Sequence, residues 1–203
     1  MIASLLIVGT LGVLLAPPSS GPAPRVEDAA IQLRAALRAD DRAAVRAMLV
    51  APPAIDAELV EAYLDLLFAA ERFGRAIDAA FPHDRVTGPT TSTVAPAPPV
   101  VRVVREDEHS ADVELSPESP PARFLLIETG WRLDLSSVFP EGEDLARQRA
   151  VVVGMTSILD ELSGEILAER YVSLVDVRAV MAMRTSDLLA NLSQRRSTTR
   201  PDQ

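Results

Sequence analysis

At 203 residues the chain has room for one hydrophobic core and an appendage, and a hydrophobic share of 48% excludes wholesale disorder. A net charge of −9 sets it against phosphate backbones, so nucleic acid is excluded as a partner. The absence of cysteine removes disulfides, thiol nucleophiles, cysteine zinc sites and a lipoprotein anchor, and two histidines, His83 and His109, leave little for a metal. No metal and no cofactor is expected. Aromatic residues make up only 4%, so the core is built from Leu, Val, Ile and Ala. Every basic side chain is arginine, which with abundant Ala, Val and Pro suits a GC-rich bacterial coding sequence.

Ile2 to Ala16 is almost wholly apolar. It is short for a membrane span, which needs roughly 20 residues, and its length suits the apolar core of a secretory signal. A Pro/Ser/Gly linker, Pro17 to Pro24, follows. Residues 1–25 are therefore expected to be a signal or membrane-tethering segment with its linker. That makes the protein extracytoplasmic: periplasmic, secreted or membrane-anchored.

From Val26 the pattern turns helical, with Val26, Ala30, Leu33 and Leu37 on one face. Asp40-Asp41 interrupts it, and either aspartate can cap a short second helix carrying Val45, Met48 and Leu49. Pro52-Pro53 stops that helix. Asp56 is the predicted N-cap of a long helix to about Ala80. Its stripe is Leu59, Tyr63, Leu67, Ala70, Gly74 and Ile77, widened by Val60, Leu64 and Phe81. The Pro/Thr-rich stretch from His83 to Pro99 reads as a long loop.

Strands follow: Val100 to Arg105, Ala111 to Leu115, Arg123 to Glu128 and Trp131 to Leu135. Short connections between consecutive strands predict an antiparallel meander. In the last strand Trp131, Leu133 and Leu135 alternate with Arg132 and Asp134, which predicts one apolar and one charged face. Helices first and strands afterwards give an α+β class.

The run ALRADDRAAVRAML, the long helix and a meander closing on ETGWRLDL resemble the nuclear-transport-factor-two-like (cystatin-like) superfamily over roughly Asp28 to Leu135. The resemblance implies a curved sheet wrapped on the long helix around a conical cavity, in an exported bacterial member of unknown function. It also implies that Asp134 is placed as the general base of isomerases and dehydratases with this fold. The proline/threonine stretch falls where the family has clearer strand, so a small sheet is expected.

Beyond Pro140 the apolar spacing predicts a helix from about Gly142 to Glu169. A second follows, opened by a capping box at Ser173-Leu-Val-Asp176. In that second helix Met181 and Met183 can line an adaptable groove or sit in the core. The expected organisation is a 26–140 α+β domain, a 141–194 helical extension and a disordered 195–203 tail. The candidate binding residues are Tyr63, Trp131, Arg132 and Asp134. Asp134 is the weak catalytic candidate, for which a solvated strand face paired to arginine is the plainer reading. The acidic turn Glu106 to His109 offers consecutive side chains that do not converge on a metal. No Gly-x-Ser-x-Gly elbow or phosphate-binding glycine loop is present. The sequence thus points to a non-catalytic domain that binds a small apolar molecule or a protein partner. An isomerase or dehydratase using Asp134, and a module that homodimerises through its sheet, are the alternatives.

Overall fold

The computed structural model describes residues 25–82, 101–114, 121–139 and 144–198, with side chains through 194. The expected signal segment and the His83–Pro99 loop lie outside the described residues, apart from Arg25. Among the described residues, five α-helices and five strands follow in the order α1 (Val26–Arg38), α2 (Arg42–Ala47), β1 (Leu49–Val50), α3 (Ala57–Ala80), β2 (Arg102–Glu106), β3 (Ser110–Glu114), β4 (Ala122–Ile127), β5 (Gly130–Asp134), α4 (Leu145–Leu167) and α5 (Leu174–Thr198). The class is α+β, with two C-terminal helices after the sheet.

β2 to β5 form the expected antiparallel meander. The sheet as a whole is mixed, in the order β1-β5-β4-β3-β2, because β1 adds in parallel to β5. Leu49 therefore does not continue the helical stripe of α2. Met48 ends the helix, and its carbonyl accepts the Leu133 N–H at 2.8 Å, so pairing with β5 decides the conformation of a segment too short to show a period. The β4–β5 turn needs Gly130, at φ 108, where a side chain would be strained.

Alternation along the strands puts Ala111, Val113, Phe124, Trp131 and Leu133 on one face, all buried. They share a core with Val26, Ala29, Ala30 and Leu33 of α1, Val45 of α2, and Leu64 and Phe68 of α3. Arg105, Asp112, Arg123, Leu125 and Arg132 are exposed or half-buried. The sheet thus has one packed face and one charged face.

α3 is the spine. The Asp56 carboxylate accepts the Leu59 N–H at 2.7 Å, as an N-cap should. The helix ends at Phe81, whose φ of −125 suits a residue before Pro82. α3 supplies side chains to three apolar clusters. One faces the sheet, one joins Leu59, Val60 and Ala62 to Leu135, Phe139 and Val152, and one joins Ala76 to Ile166 and Val177. Because α3 is covered from two sides, its buried set is broader than one stripe. Ala70, expected within that stripe, is exposed while Ala69 is buried. α4 lies along α3, and α5 folds back on α4, so the molecule is layered as sheet, α1–α3, then the α4–α5 hairpin.

Candidate functional site

Tyr63, Trp131, Arg132 and Asp134 do not converge. Trp131 points into the core between the sheet and the helices. Tyr63 is half-buried on α3, edge-on to Phe139 at 5.4 Å and 81°, and burial pushes its phenol pKa above the ordinary value. A phenol shifted that way is a weaker acid at neutral pH. Arg132 secures the turn before it: its guanidinium donates to the Thr129 carbonyl and hydroxyl, each at 3.1 Å, and to the Trp131 carbonyl at 2.9 Å.

Asp134 is buried, and its carboxylate is spent on the chain that follows. One oxygen accepts the Ser136 N–H at 2.9 Å and the other the Ser136 hydroxyl at 2.7 Å, which caps a 3-10 turn at Leu135–Ser137. The Ser137 hydroxyl donates to the Asp134 carbonyl at 2.7 Å. This is the N-cap chemistry of aspartate. It gives the residue a structural reason to be buried without a reaction.

A cleft of about 210 Å³ lies between the α1–α2 corner and α3, lined by Asp40, Arg42, Asp65, Phe68 and Arg72. Its arginines are paired. Arg42 reaches Asp65 and Glu61, each at 2.7 Å, and Arg72 reaches Asp160 at 2.7 Å. Such a wall suits ion pairing better than an apolar ligand. Among the described residues no group of three or more His, Asp or Glu could hold a metal.

The helical hairpin presents a different surface. Asp144 caps α4 by accepting from Ala146 and Arg147. α5 opens with the expected reciprocal box: Ser173 N–H donates to the Asp176 carboxylate at 3.1 Å, and Asp176 N–H to the Ser173 hydroxyl at 3.3 Å. Leu174, Val177, Met181, Arg184 and Leu188 recur at helical spacing on the side facing α4. Contacts along this seam include Thr185 with the Met155 sulfur at 3.8 Å and Leu188 against Gly154. Other apolar and small residues fall on another side: Val175, Ala179, Ala182, Met183, Ser186 and Leu189 are all exposed. Val175 is 73%, Met183 57% and Leu189 44% exposed. From Val175 to Leu189 this uncharged ridge runs about 20 Å at 1.5 Å per residue. Val172, in the α4–α5 connection, is 94% exposed.

The sequence allows the C-terminal helical pair to present a face to a partner, but one apolar stripe per helix does not resolve which residues form this ridge. Two interleaved sets of three- and four-residue steps in α5 were the available signal. Among the described residues no helix is long and apolar enough to cross a membrane. Compared with known protein families, curated proteins and solved structures, the chain matches none.

Proposed function

We propose that the chain is a non-catalytic, extracytoplasmic interaction domain that receives a protein partner on the outer ridge of α5. The observation that carries this reading is the exposure of Val175, Met183 and Leu189 along one uncharged helix face. The Asp134 geometry supports the non-catalytic part, since both carboxylate oxygens are already used within the chain. The charged lining of the α1–α3 cleft supports a protein partner over a small apolar molecule. The charged outer face of the sheet is a poorer homodimer surface than the ridge. Extracytoplasmic placement rests on the Ile2–Ala16 run, and fusion of residues 1–25 to a periplasmic reporter tests it: a reporter left in the cytoplasm refutes export. The nuclear-transport-factor-two-like setting is part of the same proposal. It is supported by the order of two helices, a short strand, a long helix and a meander.

The double substitution Val175→Glu and Met183→Glu tests the reading. Both positions are exposed, so the variant should keep its melting temperature while the native-size complex in host extracts shrinks to the mass of the free chain. An unchanged complex mass, with a folded variant, contradicts the proposal.

A further inference from the structure

The two faces of α4 are bound unequally. α4 buries Val152, Ile158, Leu159, Leu162 and Ile166, of which Val152 packs with Leu59, Val60 and Ala62 of α3 and Ile166 with Ala76 of α3 and Val177 of α5. On α5, among the described side chains, Val177 alone is fully buried, and Leu174, Val180, Met181, Leu188 and Leu192 are half-buried. An element held by so thin a seam has a lower local stability than the core on which it rests.

The connection between α4 and α5 is closed at a conformational cost. Arg170 N–H donates to the Glu165 carbonyl at 3.0 Å and Glu169 N–H to the Ile166 carbonyl at 2.9 Å. These are the paired bonds of a Schellman ending, which places residue 169 in the left-handed region. That residue is Glu169, at φ 56, and not the glycine that takes this conformation without penalty.

What offsets both deficits is polar. The Glu165 carboxylate, on the fixed helix, accepts from the Arg184 guanidinium at 2.9 and 3.0 Å and from the Tyr171 hydroxyl. Arg170 stands 3.7 Å from it, and Arg184 also reaches Glu161 at 3.3 Å. Tyr171, Arg170 and Arg184 all belong to the connection or to α5. One acidic side chain on the core therefore holds three groups on the other side of the hinge.

We propose that the segment from Ala168 through α5 is a hinged arm that opens as a unit off α4 and off the C-terminal end of α3, where Val177 meets Ala76, with Glu165 as its catch, while the sheet and α1–α4 remain folded. Opening removes the left-handed constraint at Glu169 and uncovers the α4 seam around Gly154 and Met155. The proposal does not depend on what binds the α5 ridge.

Native-state hydrogen exchange on the full chain, read by segment at rising sub-denaturing urea, tests it. Amides of α5 should exchange faster than those of α3 and β3–β5, with a weaker urea dependence. Glu165→Gln should speed α5 exchange roughly tenfold, the scale of a lost charge-assisted hydrogen bond, and leave α3 and β5 unchanged. Glu169→Gly should slow it. If Glu165→Gln does not fold, Arg184→Gln releases the same catch from the other side. Equal rates and equal urea dependence in α5 and α3 would overturn the proposal. So would a variant that accelerates α3 and β5 as much as α5.

Discussion

Trp131 is the lone indole, and its ring is buried in the core that joins the sheet to α1, α2 and α3. Replacing it with Ala removes that contact and leaves a cavity, so Trp131→Ala should lower the unfolding free energy by about 3–5 kcal/mol in urea titration; an unchanged midpoint would refute the placement. Asp134→Ala should cost about 1–2 kcal/mol, the worth of a helix-type cap, a loss visible in the same titration. Glu169→Gly runs the other way. Glycine relieves the left-handed φ, so stability should rise by about 1 kcal/mol, and a loss would show that φ 56 carries no strain. The caps at Asp56 and Ser173–Asp176 were legible in the sequence because capping is a local rule. The fate of Asp134 was not. Strand alternation says which way a side chain points, and says nothing of a serine two residues on that takes its oxygens.

Two helix glycines separate packing from propensity. Gly164 has open space around an added methyl, whereas a methyl on Gly154 would sit 2.5 Å from a Leu188 methyl and 3.2 Å from its Cγ. Gly164→Ala should therefore stabilise by about 0.5–1 kcal/mol. Gly154→Ala should gain less than Gly164→Ala, because the Leu188 side chain must turn aside to admit the methyl. Equal thermal shifts would show that α4 and α5 do not meet there. The Glu165 catch adds a pH dependence. The hydrogen bond from Tyr171, then that from Arg184, holds the Glu165 carboxyl below its ordinary pKa of 4.5. A depressed folded-state pKa gives stability that is fully present above the unfolded value and lost as pH falls through the folded one. Hydrogen exchange in α5 should hence be flat above about pH 5, after correction for intrinsic rates, and accelerate under acid; Glu165→Gln should abolish that acid limb. The meander and the long helix were readable because periods of two and 3.6 recur over enough residues. β1 has two residues and no period. α5 has apolar residues on more than one side, so no single stripe announces what it packs on.

At the scale of the molecule, α3 ties everything together. One side of it completes the sheet core, and others meet α4 and the start of α5. The α+β class and the C-terminal helical pair were legible from the order of patterns along the chain. The stacking of that pair behind α3 was not, because it depends on which sides of α3 the sheet leaves free. Tyr63, Trp131, Arg132 and Asp134 were singled out by residue type, and the fold uses them as core, turn lock and cap. Among the described residues, the α5 ridge is an exposed apolar surface with no such use. Photo-crosslinking amino acids placed singly at Val175, Met183 and, as the control, Arg123 on the outer sheet face test this most directly in the native host. A partner adduct of one mass at 175 and 183, absent at 123, is the expected result. An adduct confined to position 123, or no adduct at either ridge position, would contradict the account.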